Sequence, residues 1–266
     1  MCAMMDFDRR KEQPIGVFDS GVGGISVLQE LLKVMPGENY IYLGDSKNAP
    51  YGTKPLETVR QLTFENVRVL LDQGAKGLVV ACNTATSAAV RLMRGMYPDL
   101  PIVGIEPALK PAALQKEHPR VLVMATPMTV QQEKFRQLMA RYEDKAEIYP
   151  LACPGLMEFI EAGDLESERL RDFLRELLGP YLDKGLDSVV LGCTHYPFAR
   201  KMIRSIVGDA VTIFDGGEGT AREMRRRLAA ADLLNPSEEA GWVRFENSVA
   251  TEAELALCQR LLKQEI

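Results

Sequence analysis

Gly77-Leu-Val-Val-Ala-Cys-Asn-Thr84 has a second version further along the chain, Ser188-Val-Val-Leu-Gly-Cys-Thr-His195. Each is a short apolar run rich in β-branched residues, the pattern of a parallel strand buried on both faces. Each ends on a cysteine, followed by a small polar residue and a stretch of helical spacing. That predicts Cys82 and Cys193 at the carboxyl edge of a sheet, each beside a helix N-terminus. Open α/β sheets bind ligands along this edge, and a helix N-terminus lowers the pKa of a thiol. A single free cysteine is ordinarily a small buried hydrophobe. Two in matching contexts point to chemistry.

Working outward, Ile15-Gly-Val-Phe18 reads as a first strand, running into Asp19-Ser-Gly-Val-Gly-Gly24 and a helix with apolar residues at Ile25, Leu28, Leu31 and Leu32. The glycine-rich turn is either a backbone cradle for an anion or a tight turn without a ligand. Its spacing fits neither a dinucleotide fingerprint nor a P-loop. Tyr40–Leu43 is a second strand, followed by a loop, 44–52, whose Tyr51-Gly52 is an exposed binding edge or a plain turn. Pro55 opens a helix; the Cys82 strand and a helix over 85–96 follow; 101–105 is a fourth strand, with Glu106-Pro107 a crossing point.

From Arg120 the pattern restarts. Val121–Met124 is a strand, and Thr126 caps a helix whose apolar face runs from Val130 to Tyr142. Glu147–Tyr149 is a short strand before a helix carrying Glu161, and a long helix over 167–183 precedes the Cys193 strand. Val211–Phe214 closes this half. Ile15 precedes Cys82 by 67 residues and Val121 precedes Cys193 by 72, so the chain holds two similar α/β halves. The remainder, from Asp215, is helical with one strand-like patch at 242–245, too small to stand alone.

The 266 residues carry 32 basic and 37 acidic side chains, a net charge of −5. That balance, with Arg225-Arg226-Arg227 in a helical pattern and read as a solvated face, argues against nucleic-acid binding. No apolar run approaches the ~18 residues of a membrane helix, and Met1–Gln13, with Arg9, Arg10 and Lys11, does not read as a secretory signal. Five scattered cysteines (2, 82, 153, 193 and 258) favour reduced thiols in a cytoplasm over a disulfide framework.

If the halves face each other across a cleft, the two thiols flank one ligand. One takes a proton from a carbon and the other gives one from the opposite face, inverting the centre. Asp19 is the tuning group beside Cys82, and His195 with Glu161 the tuning groups beside Cys193. His118, next to Pro119, reads as surface. Three rivals are weaker on the same residues. Zinc needs three or four ligands, a dithiol redox pair does not require the duplicated sheet edge, and pyridoxal chemistry needs a lysine at a strand end that holds none.

Phe18-Asp-Ser-Gly-Val-Gly-Gly24, Gly44-Asp with Pro50-Tyr-Gly52, Ala81-Cys-Asn-Thr-Ala-Thr86, Cys153-Pro154 and Leu191-Gly-Cys-Thr-His-Tyr-Pro-Phe198 together resemble the motif set of the glutamate racemases, in order over roughly residues 14–215. The resemblance implies two pseudo-symmetric open parallel-sheet, flavodoxin-like domains facing each other across a cleft. Their expected bounds are 1–106 with 216–266, and 107–215. It implies interconversion of L- and D-glutamate without a cofactor or metal, supplying D-glutamate for peptidoglycan, in a cytoplasmic homodimer with no nucleic-acid or membrane partner. Carried over by position, Cys82 acts on the D-isomer and Cys193 on the L-isomer, assisted by Asp19, Glu161 and His195. Substrate contacts fall on Asp19, Ser20, Tyr51, Gly52, Asn83, Thr84, Thr194 and His195, with Thr126 and Thr129 beside them.

Overall fold

The structure, a computed structural model, describes residues 10–266; Cys2, Arg9 and the rest of the proposed non-signal segment before Arg10 lie outside the described residues. Among the described residues nine strands form two sheets: β1 (Ile15–Asp19), β2 (Tyr40–Gly44), β3 (Gly77–Val80), β4 (Ile102–Gly104), β5 (Arg120–Ala125), β6 (Glu147–Ala152), β7 (Ser188–Leu191), β8 (Thr212–Asp215) and β9 (Val243–Asn247). One sheet runs β4-β3-β1-β2-β9 and the other β6-β5-β7-β8. Every strand pairing among the described residues is parallel. Read from the other edge, the second sheet is β8-β7-β5-β6, so the halves share one order and the first adds β9 outside β2. All the residues of β1, β2, β3 and β7 are buried, which is why these segments read as unbroken apolar runs and not as alternations.

The duplication extends to register. Phe18 lies opposite Val80, and Met124 lies opposite Leu191. Cys82 and Cys193 each stand two residues past that last pair. β1 and β3, like β5 and β7, are the neighbours at which the connections turn to opposite sides of the sheet. This is the switch point where such sheets bind ligands.

Helices cover the sheets where the apolar spacing predicts them, and the C-terminal segment joins the first sheet. β9 pairs with β2, and the Tyr40 N–H donates to the Trp242 carbonyl at 2.9 Å. Gln29, in the helix Ile25–Val34, donates from Nε2 to the carbonyls of Leu261, Leu262 and Gln264 at 2.8–3.0 Å. It satisfies acceptors that a helix C-terminus otherwise leaves bare. A buried ion pair, Lys76–Glu38 at 2.5 Å, closes the amino edge of this sheet, and Glu38 also accepts from the Asn235 N–H at 2.8 Å. One apolar cluster runs through both halves, from Ile15 and Leu28 to Leu156, Cys193 and Tyr196.

Four readings are corrected. The helix after Cys82 begins at Asn83, not residue 85, and passes through a π-helical turn, Thr86–Val90, before its last turns. No α-helix starts directly after Cys193: a 3-10 turn, Tyr196–Ala199, intervenes before Arg200–Val207, because Pro197 has no N–H to continue a ladder. The helix expected across 127–142 is two, Pro127–Gln131 and Glu133–Ala140, broken at Gln132, whose ψ of 139° is extended. The strand expected at 147–149 continues to Ala152. His118 is exposed, with a φ of 43°. Arg226 and Arg227 pair with Glu223 on a helix surface, a solvated face as expected. No helix among the described residues is long and apolar enough to cross a membrane.

Candidate active site

Cys82 caps the helix that follows β3: its Sγ accepts from the Ala85 N–H at 3.4 Å, and the Ser20 hydroxyl lies 3.4 Å away. The thiol is 5 % exposed. The expected lowering of its pKa does not occur. Burial and the neighbouring Asp19 carboxylate push it up to about 12, outweighing the cap, since a buried thiolate lacks solvent to stabilise it. Cys82 therefore rests as a neutral thiol.

Cys193 sits in a different setting. Its Sγ lies 3.8 Å from Nδ1 of His195, whose Nε2 meets Oε1 of Glu161 at 2.5 Å. Burial works against a charged ring at His195, but its bonds to Cys193 and Glu161 win, holding its pKa well above the ordinary 6.5. Burial likewise opposes charge on Glu161, and His195 overrides it, holding that carboxyl below the ordinary 4.5. His195 and Glu161 form a buried ion pair, with the ring's second N–H directed at the Cys193 sulfur.

The glycine-rich turn after β1 receives this pair. The Val22 N–H donates to Glu161 Oε1 at 3.2 Å. A Cβ at Gly21 would collide with Glu161 and one at Gly23 with the His195 ring. Both open readings of the turn were incomplete: it is an anion cradle whose anion is a side chain of the opposite half. Asp19 accepts from the Gly21 N–H at 3.0 Å and from the Thr194 hydroxyl at 3.2 Å, and burial raises its pKa against the pull of His195.

On the other flank, the hydroxyls of Thr84, Thr126 and Thr129 lie within 2.9–3.3 Å of one another, drawn from both halves and nearly fully buried. Oδ1 of Asn83, in a side chain only 5 % exposed, is a buried acceptor without a partner. Leaving such an atom unpaired costs about 1–3 kcal/mol, which marks a site waiting for a donor. Tyr51 departs from expectation. It is buried, neither an exposed edge nor a plain turn, and its hydroxyl donates to Asp45 at 2.7 Å while its ring tilts against Phe18. Gly52 faces Thr126 so closely that a Cβ would lie 2.8 Å from that side chain.

Three residues that join the parts have roles their sequence pattern does not assign, although Asp45 belongs to the Gly44-Asp motif. Ser26 donates to the Thr194 carbonyl at 2.8 Å across the halves, Tyr42 donates to the Gly21 carbonyl at 2.8 Å, and Asp45 anchors Tyr51 and Asn48. Tyr42 reads as core from β2, and nothing in its spacing distinguishes it. Among the described residues no three His, Cys, Asp or Glu side chains group where they could hold a metal ion.

The Glu161–His195 pair carries a pH signature. Between 6.5 and its raised folded value, His195 keeps a proton that the unfolded chain has lost. Stability contributed by the charged ring is full below pH 6.5 and falls as pH rises through the folded value. Glu161→Gln removes the partner charge and flattens that slope, as urea unfolding at a series of pH values between 6.5 and 9 will read. An unchanged slope means that the ring is not held by Glu161.

Comparison with known proteins agrees with the geometry. Residues 15–224 match the family described as Asp/Glu/Hydantoin racemase. The chain is 52 % identical to the glutamate racemase of Clostridium perfringens over 256 residues, covering 96 % of this chain and 98 % of that one. Among solved structures, a glutamate racemase isoform of Bacillus anthracis superposes with a TM-score of 0.86 at 30 % identity, covering 96 % of each chain. The Escherichia coli glutamate racemase, solved in complex with L-glutamate and the activator UDP-MurNAc-ala, gives 0.80 at 30 % identity over 94 % of this chain and 95 % of that one.

Proposed function

This chain belongs to the Asp/Glu/Hydantoin racemase family, among the glutamate racemases, and we propose that it interconverts L- and D-glutamate by a two-base mechanism through Cys82 and Cys193. The observation that carries the reading is the matched placement of the two thiols, each two residues past the paired end of the equivalent strand.

In the L-to-D direction Cys193 Sγ takes the α-proton. His195 places a positive ring beside the atom that must carry negative charge when Cys193 serves as base. Cys82, held as a thiol by burial and Asp19, delivers its proton to the opposite face of the same carbon. One proton leaves and one arrives, so the substrate is inverted and the two sulfurs exchange protonation states. For the D-isomer the roles reverse. Cys82 must then lose its proton first, and Asp19, with its own pKa raised, is the neighbour placed to share it. Positive charge on the substrate ammonium favours that step by Coulomb attraction. The Asn83 Oδ1 acceptor suits the ammonium, and the hydroxyls of Ser20, Thr84 and Thr194 suit carboxylate oxygens. The main chain at Tyr51-Gly52 completes the substrate contacts.

The reading extends to two domains, 1–106 with 216–266 and 107–215, a division supported by the membership of β9 in the first sheet. It extends also to a cytoplasmic homodimer supplying D-glutamate for peptidoglycan. Incubation with D-glutamate in deuterated water, without added cofactor, tests the chemistry. Deuterium is expected at the α-carbon of L-glutamate formed, whereas a module that only binds glutamate gives affinity and no exchange. Sedimentation of the full chain reads the assembly: twice the 29.6 kDa mass is expected.

A further inference from the structure

In this structure the substrate site is closed: Cys82 and Cys193 are 5 % and 6 % exposed. A cavity lined from both halves borders it at Asn83 and Thr129. At its inner end stand Asn83 and Thr129; at its outer end Glu106, Lys134 and Arg141. Its volume is about 50 Å³, small beside the roughly 300–1,000 Å³ of pockets that hold small-molecule ligands. Across it Lys134 Nζ meets Glu106 Oε1 at 2.7 Å, joining the helix Glu133–Ala140 of the second half to the crossing after β4. The two side chains are 44 % and 50 % exposed. Such a pair shifts an equilibrium by no more than about fivefold, so it opens readily.

The site within has a further property. Its polar groups are hydroxyls, amides, two acids and one histidine; the buried lysine of the described chain, Lys76, pairs with Glu38 at the far edge of the sheet. A substrate with two carboxylates approaching a protein of net charge −5 thus meets its lysine and arginine at the rim of this cavity.

Resting on the racemase reading above, we propose that the Glu106–Lys134 pair spans the mouth of the substrate path and that Lys134, with Arg141, is an outer anion subsite. An incoming carboxylate takes the place of Glu106 on Lys134, which breaks the pair and admits the dicarboxylate in one exchange. The two members of the pair therefore have opposite effects. Lys134→Gln removes the attraction, and Glu106→Gln removes the competing anion.

Steady-state kinetics on the full-length enzyme test this. At low ionic strength Lys134→Gln should lower kcat/KM for both isomers by about three- to tenfold, through KM and not kcat, and Glu106→Gln should raise it. Both effects should fade at 1 M salt, where the screening length is about 3 Å. Alkylation mapped to the Cys82 and Cys193 peptides by mass spectrometry supplies a readout independent of turnover. Lys134→Gln should slow anionic iodoacetate relative to neutral iodoacetamide, and Glu106→Gln should do the reverse. A pair that merely ties the halves together would move kcat/KM in the same direction in both variants and leave the reagent ratio alone, which overturns the proposal. A wild-type protein without racemisation overturns the functional reading instead, and the reagent ratio still judges the anion path.

Discussion

Cys82→Ser and Cys193→Ser each lose interconversion of glutamate by about 10²–10⁴-fold, the usual loss on removing an acid/base group, yet keep opposite halves of the chemistry. Racemisation needs a base on one face of the carbon and an acid on the other, so either substitution stops it. A glutamate analogue with a leaving group on its β-carbon needs only α-proton abstraction; the group then departs with the electron pair left behind. Cys82→Ser should process the L-analogue through Cys193 with its His195–Glu161 support intact. Cys193→Ser should process the D-analogue through Cys82. Serine keeps the size and hydrogen bonding of a buried thiol, so near-ultraviolet circular dichroism should match the parent. Two variants that attack the same isomer, or one that retains full racemisation, would reduce the second cysteine to core.

Lys76→Met should destabilise the protein by about 3–5 kcal/mol, the usual cost of leaving one member of a buried pair uncompensated. Burial alone pulls the Lys76 ammonium below its ordinary pKa, and Glu38 opposes that. Without the lysine, Glu38 is a buried carboxylate left with the Asn235 N–H, and the loop before β2 loses its tie to the start of β3. The double variant Lys76→Met/Glu38→Leu should recover most of the loss, because two apolar side chains there need no charge partner. Urea unfolding of the two singles and the double gives the cycle directly. Singles within 1 kcal/mol of the parent would mean that water reaches the pair.

The central strands were legible because β1, β2, β3 and β7 are buried along their whole length, and a continuous apolar run ending in a cysteine needs no tertiary information to be read. The ends of helices were less so. The break at Gln132 lies inside a sequence whose apolar spacing continues unbroken from Val130 to Tyr142, and only packing shows that the chain turns there. The site residues were legible as positions on a strand edge, yet their states were not. A helix N-terminus lowers a thiol pKa, but at Cys82 burial and Asp19 act the other way and are stronger, and burial is a property of the assembled halves. The use of Gly21 and Gly23 was hidden for the same reason. Their missing side chains make room for Glu161 and His195, which arrive from residues more than a hundred positions away.

The strand order of the first sheet also sets a timetable. β5 to β8 follow one another in the chain, so the second sheet can close as soon as its own residues exist. The first sheet takes its edge from β9, and β2, buried along its whole length beside it, keeps a row of open hydrogen-bonding groups until Val243–Asn247 has been made. Between the synthesis of Asp215 and that of Val243 the nascent chain thus carries a finished second half and a first half with one exposed apolar edge, the kind of template on which unfinished chains pair with each other. That edge closes only when β9, made about two hundred residues after β2, pairs with it.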